Sequence, residues 1–209
     1  MHGKRRSLAL LMLSAFLPFL LLSGAAHAED LQQHARPSSK IWYFGIGASQ
    51  ASIDSNYSAI GHKSAGGYAF LAGFEFARNW SMEMFVSGGH NISTGATENI
   101  YYPPDTAEYT MLALNLRLSI WSLEDNWWTP WIGVGLSIGD VSWNTYFYGL
   151  TSGWTPAFSG GVDVRLGNSP LAVRTQVLFQ NFSAKDTYDY GPYNVSARVI
   201  SAALVYRFR

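Results

Sequence analysis

The sequence predicts an all-β chain, closed into an eight-stranded antiparallel up-and-down transmembrane β-barrel. Three observations carry this. From about residue 40 onward, eight segments alternate apolar and polar residues at period two. Their connections are short and long in strict turn. The face opposite the small and polar residues carries almost only Leu, Phe, Val, Ile and Met, whereas a soluble sandwich would put charges there. In lipid every backbone N–H and C=O must be paired, and a closed barrel is the all-strand way to pair them.

The N-terminus reads as a secretory signal. Lys4, Arg5 and Arg6 precede an apolar run from Leu8 to Leu22, and Ala26-His27-Ala28 fits a signal-peptidase site. The run is short for a membrane helix of about 20 residues. The domains are therefore expected as a signal peptide at 1–28, a polar periplasmic leader at 29–39, and the barrel at 40–209. Cleavage after Ala28 leaves 11 Lys and Arg against 14 Asp and Glu, a formal charge of −3. No basic excess points to nucleic acid.

Composition agrees with a barrel. Aromatic content is 15%, with eight Trp and 20 Gly, yet mean hydropathy is only +0.01, far below that of a helical membrane protein. There is no cysteine, which excludes disulfides and thiolate metal sites.

The strands are expected at about Lys40–Ser52, Ala65–Ala77, Trp80–Gly88, Tyr109–Trp121, Trp127–Gly139, Trp154–Leu166, Pro170–Phe182 and Asn194–Phe208. Arg78-Asn79, the SLEDN segment and Gly167-Asn168-Ser169 make the short turns, and the other connections run about ten to twenty residues. Bacterial barrels keep short turns in the periplasm and long loops outside. Both termini are thus periplasmic and four loops face the medium.

Alternation assigns the faces. Leu112, Leu114, Leu116, Leu118 and Ile120 share one face of the fourth segment, and Met111, Ala113, Asn115, Arg117 and Ser119 share the other. In the second, Tyr68, Phe70, Phe74 and Phe76 point outward, and Ala69, Leu71, Gly73 and Glu75 inward. In the sixth, Phe158, Val162, Val164 and Leu166 point outward, and Ser159, Gly161, Asp163 and Arg165 inward. Trp42, Trp80, Trp121, Trp127, Trp128 and Trp131 fall at the periplasmic strand ends, as an interfacial aromatic girdle does.

The first strand (IWYFGIGAS), the second hairpin (GFEFARNWSMEM), the fifth strand (PWIGVGLSIGD) and the closing strand (SAALVYRF) together resemble the small eight-stranded outer-membrane barrels of the OmpA, OmpX and opacity-protein type. The resemblance covers nearly all of residues 40–209. It implies a Gram-negative outer membrane, with lipid and lipopolysaccharide around the chain, and periplasmic chaperones and barrel-insertion machinery as partners. Such chains usually end on an aromatic residue that the insertion machinery reads. Here Arg209 follows, and Tyr206 and Phe208 keep the alternation, so insertion is expected to be slower rather than lost.

The inward face carries Glu75, Glu83 and Asp163 against Arg117, Arg165 and Arg174, with Asn115, Gln176 and Tyr43 beside them. An eight-stranded barrel is just wide enough for side chains to fill. Buried charges in it must pair. The expectation is a closed structural salt-bridge network rather than an ion path.

Catalysis and metal binding are not expected. Lipid A deacylase barrels carry Ser and His two apart on one strand face. His62-Lys63-Ser64 has that spacing but reads as loop, and His90 with Ser93 and Glu98 does not have it. No His, Asp or Glu cluster has ligand spacing, and no cofactor motif is present.

The loops are rich in aromatic residues. Trp143, Tyr146 and Tyr148 belong to the third, and Tyr188, Tyr190 and Tyr193 to the fourth. Exposed aromatic clusters suit recognition of a host or surface ligand. The expected role is that of a non-enzymatic, monomeric barrel with a plugged interior that acts structurally or as an adhesin through four loops. The alternative is a small barrel like OmpW, passing hydrophobic molecules through a strand opening. A lipid A-modifying enzyme comes third.

Overall fold

The computed structural model describes residues 41–55, 62–93, 106–143, 149–184 and 192–208. All their regular elements are strands: β1 (Ile41–Ser55), β2 (His62–Ala77), β3 (Trp80–Ser93), β4 (Thr106–Ser119), β5 (Trp128–Trp143), β6 (Gly149–Thr151), β7 (Thr155–Arg165), β8 (Leu171–Ala184) and β9 (Tyr193–Phe208). Consecutive strands pair antiparallel, β9 returns to β1, and β4 to β5 completes the ring. The barrel is closed, with eight staves.

The sixth stave is split into β6 and β7, both paired to β5. At the break the Gly139 N–H donates to Ser152 Oγ at 2.8 Å, and the Ser152 N–H donates to the Gly139 carbonyl at 2.9 Å. The hydroxyl takes the place of a backbone carbonyl, so the ladder is interrupted without leaving Gly139 unpaired. The β7–β8 ladder starts at Ala157 opposite Gln180, and above it the described ladders pair Asn181–Ala184 with β9 alone.

The strands run further than alternation alone indicated, mostly at their upper ends. Strand geometry continues past the lipid boundary, where outward polar residues hide the pattern. His62 and Ser64 accordingly lie in β2, and His90 and Ser93 in β3, rather than in loops.

Shear sets the geometry of the interior. A circuit along the ladders from Tyr43 passes Gly73, Glu83, Asn115, Gly135, Ala157, Gln180 and Ala197, and returns to β1 at Ile53, ten residues higher. Such a shear over eight strands tilts them by roughly 35–45°. Residues at one height are therefore far apart in strand position. The tight coiling demands glycine at some inward positions: a Cβ on Gly47 would fall 1.9 Å from the Ala202 carbonyl oxygen, and one on Gly135 equally close to that of Leu114. Gly167, at φ 61°, turns the chain from β7 into β8.

The outer wall is apolar, with Phe44, Ile132 and Phe158 about half to two-thirds exposed to what must be lipid. The band ends upward in outward-facing polar residues such as Gln50, Asp140, Asn181 and Arg198. Outer-membrane barrels carry such an outward apolar belt.

Candidate functional site: a charged plug in the lumen

Six inward side chains from six staves meet in the periplasmic half of the lumen: Tyr43, Glu83, Arg117, Trp131, Asp163 and Arg174, none more than 3% exposed. Arg174 clamps Asp163 with two bonds, Nε to Oδ1 at 2.6 Å and Nη2 to Oδ2 at 2.7 Å, and its Nη1 donates to Glu83 Oε2. Arg117 Nη1 donates to the same Glu83 oxygen at 2.9 Å, and its Nη2 reaches Asp163 Oδ2 at 3.4 Å. Tyr43 donates its hydroxyl proton to Glu83 Oε2 at 3.0 Å. Trp131 Nε1 donates to Asp163 Oδ1 at 3.2 Å. Two aromatic faces complete the enclosure, with the Arg117 guanidinium 3.9 Å from the Trp131 ring centroid and that of Arg174 4.9 Å from Tyr43.

Two cations meet two carboxylates, so the cluster is neutral. Removing four charges from water is costly, and five arginine–carboxylate bonds offset it, while Glu83 Oε1 and Arg117 Nε find no hydrogen-bond partner among the described residues. The arrangement links strands across the lumen and leaves both carboxylates committed to arginine. Among the described residues no group of His, Cys, Asp or Glu is gathered to hold a metal.

The structure differs from the sequence expectation at several residues. Glu75 stands apart from the plug, at the periplasmic rim, where its Oε1 accepts from Arg207 Nη2 at 2.8 Å. Arg165 also lies at this rim and donates to the Glu124 carbonyl at 3.4 Å. The shear places both below the plug, a displacement that strand-by-strand alternation cannot show. Arg207 was missed, although the inward phase of β9, through Ser201, Ala203 and Val205, points to it. Trp131 is not in the girdle: it shares the inward face of β5 with Gly133, Gly135 and Ser137, and proximity to a strand end had hidden that parity. The small residues beside it leave the room its indole needs.

The other girdle residues lie at the periplasmic edge. Trp80 and Trp127 are exposed, Trp42 packs 5.1 Å from Phe74, and Trp121 meets Trp128 edge-on at 4.8 Å. Tyr206 and Phe208 face outward and pack on Phe44, with ring centroids 5.8 and 6.1 Å away. Between the girdle residues, the 120–127 turn tucks Leu123 beneath the plug, 4% exposed, and Asp125 pairs with Arg78 at 2.9 Å.

Above the plug the lumen changes character. Ser87 donates to Ser49 at 2.8 Å and Tyr109 lies within hydrogen-bonding distance of both. Higher still the inward face is mostly apolar, with Ala51, Ile53, Met111, Val141, Phe182 and Val195 beside Gln180 and Lys63. Tyr193, expected in a loop, begins β9 and packs partly buried against this upper core. Trp143 ends β5, whereas Tyr146, Tyr148, Tyr188, Tyr190 and Glu98 lie outside the described residues.

A family model for the outer membrane protein beta-barrel domain matches residues 14–208. The chain belongs to this outer-membrane barrel family. Membership implies the outer membrane of a Gram-negative bacterium. Solved structures of similar fold include Neisserial surface protein A (14% identity, TM-score 0.59, covering 80% of this chain and 97% of that one). The outer membrane protein OprG from Pseudomonas aeruginosa is similar too (14%, TM-score 0.58, covering 86% and 100%). So is Ail, the attachment invasion locus protein of Yersinia pestis, solved with the heparin analogue sucrose octasulfate (12%, TM-score 0.54, covering 81% and 99%). At these identities the likeness is one of fold. No curated protein matches the sequence.

Proposed function

We propose that this outer-membrane barrel is a non-conducting structural scaffold that displays its extracellular loops for surface interaction. The single observation that carries the reading is the neutral, fully buried Glu83–Arg117–Asp163–Arg174 cluster, which fills the lower lumen between Tyr43 and Trp131. An eight-stranded barrel has little cross-section left once such side chains occupy it. Leu123 adds a second obstruction below. The aromatic loop sequences, and an attachment protein among the structures of similar fold, support the surface role. Planar-bilayer recording of the refolded chain, beside a heat-modifiability gel, tests it. A compact fast-migrating band with no conductance supports the plug, and reproducible conductance steps refute it. Shortening the third and fourth loops is expected to abolish surface binding while the barrel still folds.

One observation favours a second reading, sideways passage of small apolar molecules between the medium and the outer leaflet. The upper lumen is mostly apolar, and among the described residues β6 and β8 share no ladder beside it above Ala157 and Gln180. Proteoliposome uptake of a fluorescent alkane derivative separates the readings. Uptake that is lost in Gly139→Leu, which would fill the space before Gln180 and Phe182, favours passage. Absence of uptake by the native protein leaves the scaffold reading alone.

A further inference from the structure

Beneath the plug lies a small polar cavity, lined by Asn79, Ser81, Arg117, Ser119 and Thr129 and closed from below by Leu123. Two buried groups of these residues have no hydrogen-bond partner among the described residues, Arg117 Nε and Asn79 Oδ1. Arg117 commits its Nη groups to Tyr43, Glu83 and Asp163, which leaves its Nε–H as a spare donor. Asn79 belongs to the turn between β2 and β3, and its main-chain carbonyl accepts from the Ser119 N–H at 2.8 Å, which holds the turn against the cavity. Its side-chain oxygen is a spare acceptor. The charged groups around the cavity are already paired: Glu75 with Arg207, Asp163 with Arg174, and Arg78 with Asp125. About 10 Å³ of the cavity is open to the centre of a water molecule. That is room for one.

We propose that this cavity holds one resident water molecule, which accepts from Arg117 Nε–H and donates to Asn79 Oδ1, and so ties the plug to the β2–β3 turn. The two spare groups select the guest. A donor and an acceptor left over together need a molecule that both accepts and donates. A chloride ion would accept from Arg117 but has no proton for Asn79. A sodium ion would suit the Asn79 oxygen and be repelled by the guanidinium. With the surrounding charges paired, nothing in the cavity offsets the desolvation of either ion. Water serves both groups, leaves the cluster neutral, and spares each buried group the full cost of an unmade hydrogen bond. Ser81, Ser119 and Thr129 offer hydroxyl oxygens to its second proton. Asn79 is thus a positioning residue for the plug, although it stands in a turn outside every strand. The proposal rests on the plug geometry and not on the scaffold role, because the bound water and conductance are read by separate measurements.

The test is magnetisation transfer from water. The full chain, with its arginines labelled in nitrogen-15, is refolded in lipid nanodiscs, and cross peaks between water and the arginine Nε–H groups are recorded by NOESY and ROESY. Arg117 is identified by its contact with the Trp131 ring. A water held beyond the nanosecond range gives cross peaks of opposite sign in the two experiments, and a passing one does not. Opposite signs are expected at Arg117, and are expected to persist in Ser81→Ala with Ser119→Ala, which removes hydroxyls that could relay the signal. Asn79→Ala is expected to weaken the peak about fivefold, the worth of one hydrogen bond. Asn79→Asp keeps the acceptor and is expected to keep the peak. Absence of the peak, or equal signs, overturns the site, and an undiminished peak in Asn79→Ala overturns the bridge. An Arg117 Nε shift that follows chloride concentration overturns the choice of water. If Asn79→Ala does not fold, the signs recorded on the native chain decide by themselves.

Discussion

The guanidinium of Arg117 stands 3.9 Å over the ring of Trp131, whose Nε1 donates to the same Asp163 carboxylate that Arg117 and Arg174 share. The tryptophan is thereby part of the charge cluster: it shields one cation with its face and satisfies one anion with its edge.

Trp131 and Trp127 are four residues apart in sequence, yet their substitutions are expected to differ sharply. Trp131→Ala opens a cavity and leaves Asp163 short of a donor, at a cost of about 3–5 kcal/mol. Trp127→Ala, at the exposed rim, is expected to cost less than about 1 kcal/mol. Urea unfolding in lipid vesicles, followed by fluorescence and gel shift, measures both. Equal costs would place Trp131 outside the plug.

Arg117→Met leaves Glu83 and Asp163 to share the Arg174 guanidinium, one buried negative charge in excess, and breaking a buried pair from one side costs about 3–5 kcal/mol. Adding Glu83→Leu removes the excess charge and leaves the Arg174–Asp163 clamp intact. The double variant is expected to recover at least half the loss. Arg117→Glu, which sets like charges together, is expected not to refold. A double variant no better than the single one would show that geometry rather than charge balance sustains the cluster.

Gly135→Val is expected to block closure, because its Cβ would overlap the Leu114 carbonyl oxygen. Gly153→Val, where a Cβ meets no atom within 4 Å, is expected to fold as the native chain does. The compact fast-migrating band on a gel decides each case. A folded Gly135→Val barrel would mean that β4 and β5 can separate without loss.

The exposed pair Arg78–Asp125 offers the contrast to the buried ones. Its side chains are 79% and 56% exposed, so water screens the attraction. A double-mutant cycle on the two is expected to give less than about 1 kcal/mol, falling further with salt.

Much of the candidate site was legible because each strand reports its own inward face. Glu83, Arg117, Asp163 and Arg174 all follow from alternation in single strands. The failures have a common origin. Glu75 and Arg165 are inward as well, and nothing within β2 or β7 says that they stand lower than Glu83 or Asp163. Trp131 is inward by parity, but its nearness to a strand end points to the girdle instead. The split of the sixth stave turns on one hydroxyl, Ser152, standing in for a backbone carbonyl, which has no periodic signature.

The sequence by itself determined that this chain forms a closed barrel of eight staves in a membrane, and which side chains face lipid and which face the lumen. Period two is a local property, written in each strand and enforced by the cost of unpaired backbone in hydrocarbon. Tertiary structure alone decided which inward residues meet. That depends on a ten-residue shear set by the pairing of β9 with β1 and of every strand between. Tilt then brings to one height residues that occupy different places in their strands. Glu83 and Arg174 become partners 91 residues apart, while Glu75 is left to Arg207 at the rim.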